Sequence, residues 1–494
     1  MNGSHPLAEL EALGLVNQAY NPPTREGLES RPYPLISRGG LADKFHFRHW
    51  TTFSQTSDCE VSQMKYLGLF LVTLLLSVDC VAHSDFCQIV NAAMRALPDG
   101  GVVDETSATG AQTCLSDPFA NVNVPVTLLL GRITITSSES WTIPSNVLIR
   151  GVSRTGTVVS FQPILPTNNF LLISGSNVDL GYFAVTGRDT GRFIAVNDVS
   201  NVHIHDLYVS GTSSLPTNGP MAGIYAVGSD IWIDNNILSG NGPATNPPDL
   251  QSYDIVAWRN PSRIHIRNNQ ISNSNAGQSI ACFNCQHSDA IGNEVDQNNR
   301  MPSPIIGGGY GIVFYASTGI IEAARIEHNN VTNTAGSGIY CANCSHTSIA
   351  NNTVTHVARQ QSDDVEPVGC VSVNGFDHGS VAGNVCDGSV KDCFVIDTGG
   401  AGSTGVSGSV FSGNTAHFCG GNGFSFRSTI PLTNLVVTGN SVELVNGTNG
   451  YAFNIYLVSL VQSLILTNNI VVAPPGRSYN LGDRCLNCLV ADNM

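Results

Sequence analysis

The sequence predicts an all-β solenoid, a parallel β-helix in which each repeat forms one coil, and three observations lead to this prediction. An asparagine recurs about every 28 residues inside an apolar-x-x-Asn-x-apolar frame. Each repeat also carries a second short apolar strand, such as 338–343, and Gly- or Asn-rich turns. Alternation with period two, without helical periodicity, indicates stacked strands that bury one face against their neighbours. The anchor positions are Phe183, Leu207, Asn236, Asn269, Asn293, Asn329, Asn352, Asn384, Asn414, Asn440, Asn469 and Asn493.

The repeated asparagine has a physical role at the bend between two strands of a coil. Asparagine tolerates left-handed backbone geometry better than other residues with a side chain. Stacked about 4.8 Å apart on successive coils, the side-chain amides can also donate and accept hydrogen bonds along the solenoid. We therefore expect the anchors to form a ladder at the bend.

These repeats resemble the right-handed parallel β-helix of the pectate-lyase-like superfamily, over residues from about 126 to 494. The resemblance implies an asparagine ladder at the second turn of each coil, a long variable loop after the third strand, and a cleft over the first strand beside that loop. It does not imply one activity, because the fold carries lyases, hydrolases, epimerases and non-catalytic adhesins.

The composition is that of a turn-rich globular protein with few charges. The chain has 494 residues, 50 of them glycine, with 42% hydrophobic and 12% charged residues and a formal net charge of −15. Only three lysines occur, at 44, 65 and 391, and no basic run is present. A nucleic-acid partner is not expected.

The amino-terminal region divides into three parts. Residues 64–83, a lysine followed by an apolar run and small residues, are predicted to be a secretory signal peptide. The run is too short for a membrane span, so the mature chain is expected to be secreted or periplasmic. Residues 1–63 then form an upstream extension or a disordered segment, and the alternatives are a cytoplasmic tail with a weak anchor or a buried apolar helix.

Residues 84–125 are predicted to form a cap on the solenoid, which itself occupies residues 126–494. Apolar residues at helical spacing after Asp85 end at Pro98, which predicts a short helix that covers the open edge of the first coil. Cys87 and Cys114 flank this helix, and in an exported chain we expect a disulfide between them. At the other end the final coil lacks a capping helix, which favours an oligomer formed through this coil or indicates an incomplete reading frame.

Most of the remaining cysteines follow a Cys-x-Asn-Cys motif, at 282–285, 341–344 and 485–488. Paired Cys-x-x-Cys units can hold zinc, but the first two copies are separated by a whole coil and therefore lie about 10 Å apart. Structural cysteines at the end of the second strand are the favoured interpretation. Cys370 and Cys393 occupy matching positions on neighbouring coils, and a bridge between them is a further expectation.

Alignment of the repeats groups several charged residues on one face. Arg300, Arg359 and Lys391 lie seven residues past their anchors. Just past the second strand, a polar column of Arg259, Asn284, Asn343, Asn374 and Asp397 is predicted, with Arg427 one residue out of step. Three carboxylates lie in the loop after Arg359, at Asp363, Asp364 and Glu366. Ordinary solvated loop charges are the competing interpretation.

The favoured reaction for such a face is eliminative cleavage of a polysaccharide that contains uronic acids. The substrate carboxylate must be neutralised by arginine or by Ca²⁺ held on carboxylate oxygens, and a base must then remove the proton at C5. By analogy with the family, Lys391 or Arg359 is the predicted base, with Arg300 as a further candidate. Asp363, Asp364, Glu366 and Asp397 are the predicted calcium ligands, and Arg259, Arg427, Tyr340 and Trp258 the predicted substrate-binding residues.

Two other functions remain open. A glycoside hydrolase needs two carboxyl groups, which Asp364 with Asp397 or Asp363 with Asp392 would supply, although the sequence lacks the polygalacturonase motifs. A non-catalytic carbohydrate-binding or adhesive solenoid would use aromatic rings that face outward from the second strand. The candidate rings are Tyr225, Trp258, Phe283, Tyr315, Tyr340 and Phe394.

Two fragments resemble pectate lyases more directly, each with a departure from the family pattern. Residues 231–235 resemble a Trp-Ile-Asp-His stretch, but Asn235 replaces the histidine. Residues 259–263 resemble Arg-x-Pro-x-x-Arg with one residue missing. Both fragments also match the general pattern of a coil, and a structural role is the favoured interpretation for each.

Overall fold

The computed structural model describes residues 85–211, 219–242, 252–297, 309–358, 368–398, 405–427, 430, 432–444, 450–456, 461–481 and 485–494. The predicted segments 1–63 and 64–83 lie outside these residues. Within them the chain forms a right-handed parallel β-helix with one α-helix near its start, which confirms the predicted fold. None of the described helices is long and apolar enough to cross a bilayer.

Helix α1 (Phe86–Arg95) begins at Asp85, whose side chain accepts a hydrogen bond from the backbone N–H of Cys87. This contact satisfies one of the free N–H groups of the first turn. The helix packs Phe86, Val90 and Met94 into the same core as the first coil. Asp85 Oδ2 also accepts a hydrogen bond from Ser116 Oγ at 2.6 Å, which ties the helix start to the end of the first coil.

Each full coil contains three strands, which stack on those of neighbouring coils to form three parallel sheets, here called sheets I, II and III in chain order. The strands of sheet I are β5 (Trp141–Ile143), β8 (Thr167–Ile173), the first halves of β11 (Thr190–His205) and β13 (Met221–Asp234), β15 (Ser252–Ala257), β18 (Gln278–Phe283), β21 (Tyr310–Tyr315), β25 (Ile339–Ser345), β28 (Gly369–Asp377), β31 (Asp392–Asp397), β34 (Phe424–Arg427), β37 (Phe453–Tyr456) and β40 (Tyr479–Asn480).

Sheet II follows in each coil. Its strands are β1 (Gly101–Glu105), β3 (Val126–Leu130), β6 (Val147–Arg150), β9 (Val178–Gly181), the second halves of β11 and β13, β16 (Ser262–Arg267), β19 (Asp289–Ile291), β23 (Arg325–Glu327), β26 (Ser348–Ala350), β29 (Ser380–Ala382), β32 (Val410–Ser412), β35 (Leu432–Thr438), β38 (Val461–Thr467) and β42 (Leu489–Ala491). Two short strands, β22 (Ile321–Glu322) and β41 (Cys485–Leu486), lie at the bend between sheets I and II and pair with β25 and β38.

Sheet III completes each coil. It contains β2 (Gly110–Cys114), β4 (Ile133–Ser137), β7 (Val158–Phe161), β10 (Ala184–Gly187), β12 (Tyr208–Ser210), β14 (Ile237–Ser239), β17 (Gln270–Ser272), β20 (Glu294–Asp296), β24 (Asn330–Thr332), β27 (Thr353–Thr355), β30 (Val385–Asp387), β33 (Thr415–Cys419), β36 (Ser441–Leu444) and β39 (Ile470–Val472). Sheets I and II are continuous because β11 and β13 pass through the bend between them.

The register follows the predicted anchors. Ile233 of one coil pairs with Ile266 of the next, and Ile266 pairs with Ala290. These side chains are fully buried in the core that fills the interior of the coil. Every second residue of each strand therefore points inward, and the residues between them form the outer faces.

The anchor asparagines lie at the bend between sheets II and III, buried and hydrogen-bonded from coil to coil. Asn329 Nδ2 donates to Asn352 Oδ1 at 2.9 Å and to the backbone oxygen of Ala290 at 2.8 Å. Asn352 Nδ2 in turn donates to Asn384 Oδ1 at 2.8 Å. At the start of the column, Leu207 has no amide, and its backbone N–H donates directly to Asn236 Oδ1.

The left-handed residue at this bend is not the anchor, contrary to the expectation from sequence. It is the residue before it, with φ of 53° at Asn235, 54° at Asn268 and 55° at Asn351. Glycine takes this position at Gly383 with φ of 64°. Because the preceding residue makes the turn, the anchor amide is left to point inward and bond with its neighbours.

Six disulfides connect the described cysteines. The predicted bridge between Cys87 and Cys114 is confirmed, whereas a bridge between Cys370 and Cys393 is wrong. Cys370 is bonded to Cys386 and Cys393 to Cys419, so each joins sheet I to sheet III of its own coil. Cys370 and Cys393 lie side by side on neighbouring strands of sheet I. Each of them nevertheless bonds to a cysteine on sheet III of its own coil and not to the other.

Each Cys-x-Asn-Cys motif closes on itself. Disulfides join Cys282 to Cys285, Cys341 to Cys344 and Cys485 to Cys488. The asparagine inside each motif has a left-handed backbone, with φ of 55° at Asn284 and 54° at Asn343. The motif therefore fixes a tight bend after the sheet I strand, a structural role as the sequence favours.

Candidate functional site

The outer face of sheet I carries an aromatic strip, defined as Tyr225, Trp258, Phe283, Tyr315 and Tyr340. These rings belong to a cluster separate from the interior core. The Trp258 and Phe283 rings lie 4.5 Å apart between centroids, and Tyr340 stacks on Tyr310 at 5.4 Å. Two predicted substrate-binding residues, Trp258 and Tyr340, thus lie on this face. Phe394 points the other way and stacks on Phe424 in the core, at 4.7 Å.

Two guanidinium groups lie at the early end of the aromatic strip. Arg192 lies over the Tyr225 ring, 4.2 Å from its centroid, and donates to the backbone oxygen of Pro220 at 2.9 Å. Burial lowers the pKa of Arg192, and the nearby charge of Arg259 lowers it further. Arg259, a predicted substrate-binding residue, is exposed at the bend after β15 with φ of 66°. Sequence reasoning missed Arg192, because its partners come from other coils.

At the later end of this face, Arg427 pairs in backbone register with Asp397. Arg427 is therefore in step with the polar column, not one residue out of step as predicted. Arg259, Asn284 and Asn343 depart from the column by one residue. The register partners of Asn374 on the earlier coils are Ala342, Tyr315, Phe283 and Trp258. The guanidinium of Arg427 extends to Asp392, with Nη2 2.7 Å from Oδ2, and Nε donates to Ser425 Oγ.

Lys391 and Asp397 lie at opposite ends of β31. They are six positions apart in the sequence, so their Cα atoms lie roughly 20 Å apart along the extended strand. The structure does not bring these two predicted site residues together. Lys391 is half-buried, and no residue that the structure describes forms an ion pair with it. The remaining predicted site residues lie outside the described residues: Arg300, Arg359, Asp363, Asp364 and Glu366. Neither predicted hydrolase pair can therefore be placed, because one pair contains Asp364 and the other Asp363.

A second polar surface, missed by the sequence analysis, lies on the outer face of sheet II and is here called the sheet II stripe. Its residues occur four and two positions before each anchor. The stripe consists of Arg150, Asp179, His203, His205, Trp232, Asp234, His265, Arg267, Asp289, Arg325 and Glu327. The same alignment that located the anchors would have revealed these columns.

The early part of the stripe contains two histidines and an aspartate in direct contact. His205 Nε2 lies 3.1 Å from Asp179 Oδ1, and His203 Nδ1 lies 3.7 Å from Asp179 Oδ2. The remaining ring nitrogens face other carboxylates, with His205 Nδ1 2.9 Å from Asp206 and His203 Nε2 2.7 Å from Asp234. The His203 and His205 rings stack at 4.2 Å.

This environment shifts the proton affinities of the cluster. Burial opposes charge on His203, but the hydrogen bonds with Asp179 and Asp234 prevail and raise the pKa of its imidazole to about 9. Burial also tends to raise the pKa of Asp179, but the two histidines and Arg150 hold it well below its usual range. The pKa of His205 is raised for the same reasons as that of His203.

The later part of the stripe is a closed ion-pair network. Arg267 bonds to Asp289 through two nitrogens, at 2.7 and 2.6 Å, and His265 Nδ1 lies 2.7 Å from the same carboxylate. Burial raises the pKa of Asp289, but these partners lower it overall. Trp232 stacks on His265 at 5.3 Å. The two hydrogen bonds between Arg267 and Asp289 pair both charges, so this network has a structural role.

The two fragments that resemble pectate lyases also take structural positions. Trp232 and Asp234 belong to the sheet II stripe, and Asn235 makes the left-handed bend after them. Arg263 bonds to Asp230 of the previous coil at 2.6 and 2.7 Å. These contacts agree with the interpretation that both fragments are parts of ordinary coils.

A buried carboxyl lies inside the coil, where sheet III meets sheet I. Asp254 is fully buried, and burial raises its pKa to about 7 despite hydrogen bonds with Asn241, Ser274 and Ser279 that act in the opposite direction. Asp254 is therefore part of the interior of the solenoid and does not line the outer face of sheet I.

Part of the chain is similar to a known family. Residues 183–356 match the family model described as right handed beta helix region. The catalytic unit of the GH87 α-1,3-glucanase from Streptomyces thermodiastaticus is 11% identical with a TM-score of 0.46, and the match covers 82% of this chain and 65% of that chain. Tailspike protein 3 of bacteriophage CBA120 is 12% identical with a TM-score of 0.42, covering 77% of this chain and 60% of that chain.

The A-module of the mannuronan C-5 epimerase AlgE6 from Azotobacter vinelandii is 12% identical with a TM-score of 0.38, covering 79% of this chain and 96% of that chain. This chain thus spans less than two thirds of the length of the glucanase unit and of the tailspike. No curated protein sequence matches it. The parallel pairing of its three sheets gives the chain the parallel β-helix fold, and residues 183–356 within it match the model of the right handed beta helix region.

Proposed function

We propose that this protein is exported, binds an acidic polysaccharide along the outer face of sheet I, and cleaves it by a lyase-type reaction. The observation that carries the proposal is the aromatic strip. Trp258, Phe283 and Tyr315 share one register column on successive coils, with ring centroids 4.5 and 6.1 Å apart. Tyr225 and Tyr340 lie two residues earlier on their own strands. Aromatic rings on a solvent-facing groove provide stacking surfaces for sugar rings.

The charges on the same face favour an acidic polymer. Arg192 and Arg259 place two cations beside Tyr225, at one end of the strip. A guanidinium binds a carboxylate through two parallel hydrogen bonds. Arg192 and Tyr225 are buried, whereas Arg259 is exposed next to Trp258. Uronic acid units carry one carboxylate each, so a unit stacked on Trp258 would meet the charge of Arg259.

The proposed reaction is a β-elimination. A base removes the proton at C5 of the uronic acid unit, the electron pair forms the C4–C5 double bond, and the glycosidic oxygen leaves C4 and takes up a proton. Arginine keeps its proton in proteins, so Arg259 would bind the carboxylate of a unit held at the early end of the strip. Lys391 lies five coils further along, roughly 24 Å away, so a different cation would neutralise the carboxylate of the reacting unit. Among the predicted bases, Lys391 is therefore preferred to Arg359, since an ammonium can lose its proton. Calcium held by Asp363, Asp364 and Glu366 would supply the same neutralisation, and this part of the proposal depends on chelation experiments.

Export is supported by the cysteines. Twelve of the 14 cysteines form the six disulfides, and such bonds persist in oxidising compartments. The predicted signal peptide at residues 64–83 is consistent with this location.

The test uses pectate, alginate, a glycosaminoglycan and a neutral glucan, each with and without a chelator. A lyase releases unsaturated uronides that absorb in the ultraviolet, and Lys391→Ala should abolish this absorbance. Arg325→Ala, which removes an exposed cation from sheet II, is the matched control and should leave activity unchanged. New reducing ends without ultraviolet absorbance would indicate a hydrolase instead, and retention of polymer without any product would indicate a binding module. If the protein retains none of the acidic polymers, the proposed function is disproved.

A further inference from the structure

We propose that Asp179, His203 and His205, on the outer face of sheet II, form a binding site for a divalent transition-metal ion, with Zn²⁺ the best match. The site lies on a different sheet from the aromatic strip. It does not depend on the proposed function and involves none of the residues predicted to hold calcium.

The first support is the register of the strands. His203 and His205 are separated by one residue on β11, so both imidazoles project from the same face. Asp179 on β9 is the direct backbone partner of His203 on the adjacent coil. The fold therefore holds three ligand side chains together on two neighbouring rigid strands, and their possible ligand atoms all lie within 4.8 Å of one another.

The second support is the orientation of the rings. Each imidazole turns one nitrogen toward Asp179, while its other nitrogen faces a further carboxylate, Asp206 for His205 and Asp234 for His203. Histidines that bind metals usually bond through their second nitrogen to such a carboxylate, which fixes the orientation and the proton of the ring. Asp206 is held in turn by Arg154, at 3.0 Å. The ion-binding geometry thus has its supporting contacts already in place.

Charge balance also favours a divalent ion. Three aspartates surround the two imidazoles, and two arginines, Arg150 and Arg154, lie within 4 Å of Asp179 and Asp206. With both imidazoles neutral, these groups sum to one negative charge. The three carboxylates therefore outweigh the two guanidinium groups, and a divalent ion bound between the imidazoles would enter a site of negative charge.

The donor set selects among ions. Two imidazole nitrogens and one carboxylate oxygen suit zinc and its neighbours in the transition series, whereas Ca²⁺ and Mg²⁺ prefer oxygen ligands alone. Three protein ligands leave one position of a tetrahedral zinc ion for water or another small ligand. The side chain of His203 is 38% exposed, so this position can open to solvent.

The remainder of the stripe provides a matched control. His265 is also an outward histidine on sheet II, but its carboxylate partner, Asp289, is already bonded by two nitrogens of Arg267. The second nitrogen of His265 has no described carboxylate partner comparable to Asp206. Loss of this imidazole should therefore leave the proposed ion site intact.

The experiment uses the full chain without an affinity tag, stripped of metal and titrated with ZnCl₂ by calorimetry and with CoCl₂ by visible absorption. We expect one zinc ion to bind at the cluster, with at least ~100-fold weaker affinity in His203→Ala and His205→Ala and ~10- to 100-fold weaker affinity in Asp206→Asn. His265→Ala should bind as the unmodified protein does. Cobalt should give the intense visible bands of a four-coordinate site, and zinc should displace it while calcium should not.

Two results would overturn the proposal. One is an unmodified protein that binds zinc no more tightly than the double variant His203→Ala, His205→Ala. The other is cobalt bound with the weak bands of an exposed six-coordinate ion in all variants alike. Circular dichroism and thermal melting establish that each variant is folded. Should the histidine variants fail to fold, Asp206→Asn keeps the shape of the side chain and decides the question through the affinity for zinc.

Discussion

Asn241 Nδ2 donates a hydrogen bond to Asp254 Oδ1 at 3.0 Å in the fully buried interior of the coil. The hydrogen-bond partners of Asp254 are the amide of Asn241 and the hydroxyls of Ser274 and Ser279, and none of these groups is a cation. Burial of a carboxylate without a counter-charge favours the neutral acid. The interior of this coil is therefore built to hold a protonated aspartate.

Stability should fall as pH rises past the unfolded pKa of Asp254. The folded pKa is about 7 against an ordinary value of 3.8, so between these values the folded protein keeps a proton that the unfolded chain has lost. The loss over this window should reach about 4 kcal/mol. Asp254→Asn, which resembles the neutral acid, should melt at a higher temperature than the unmodified protein at pH 8 and not at pH 4. Asp230→Asn, at a half-buried carboxylate paired with Arg263, should show no such gain.

The asparagine column should contribute strongly to stability. Asn352→Ala removes the acceptor of the Asn329 side chain and backbone N–H, and the donor to Asn384 and to the Ile326 backbone oxygen. Buried groups left without partners cost about 1–3 kcal/mol each. We expect a loss of roughly 3 kcal/mol or more in urea unfolding. Thr353→Ala, at the adjacent exposed position, is the control and should change stability by less than about 1 kcal/mol.

Trp258→Ala should weaken polysaccharide binding. If sugar rings stack on the aromatic strip, removal of its largest ring should raise the Kd about tenfold or more, because stacked aromatic contacts contribute about 1 kcal/mol or more. Trp232→Ala removes a half-buried, outward tryptophan from sheet II and should leave the Kd unchanged. Affinity electrophoresis in gels that contain the polymer measures both. If both variants change the Kd equally, the polymer does not bind on the aromatic strip.

Arg259→Gln should reduce binding of acidic polymers selectively. Arg259 is exposed, so its replacement should leave the melting temperature unchanged, while one charge contact with each bound polymer is lost. The salt dependence of binding should become shallower, since fewer counterions are displaced. Binding of a neutral glucan should not change. A steeper salt dependence, or an equal loss for the neutral polymer, would argue against a charge contact at this position.

The disulfides should differ in their contributions according to the length of chain they enclose. Cys393 and Cys419 are 26 residues apart, whereas Cys341 and Cys344 are three apart. In the chain-entropy treatment, loss of the longer bridge costs roughly 3–4 kcal/mol and loss of the shorter about half as much. Urea unfolding of the paired serine variants measures the difference. If both pairs of variants lose the same free energy of unfolding, the bridge between Cys341 and Cys344 also stabilises the bend in the folded state.

The fold could be predicted because each coil repeats one apolar pattern. The anchors gave the correct pairing of Ile233 with Ile266, since only one register keeps every apolar residue in the interior. Details at the bends were harder. Asn352 was expected to take the left-handed turn that Asn351 takes, because both residues favour that conformation and the sequence does not show which of them is needed for the ladder.

Much less of the candidate site could be predicted. Lys391 was placed by its distance from the anchor and Asp397 by its position after the second strand, although a single extended strand separates them. The contact of His205 with Asp179 was missed because histidine and aspartate at outward positions look like ordinary surface residues until two coils are superposed. The roles proposed for Arg300, Arg359, Asp363, Asp364 and Glu366 stay predictions.

The amide column also has a direction. From Asn269 onward, the side-chain carbonyl of each anchor points back toward the preceding coil, where it accepts hydrogen bonds from the backbone N–H and the Nδ2–H of the earlier anchor, as Asn269 does from Asn236. A finished coil therefore presents two aligned donors to the coil that follows it. During synthesis on the ribosome each new turn of chain would meet a template already made, so that assembly can advance in the order in which the chain emerges.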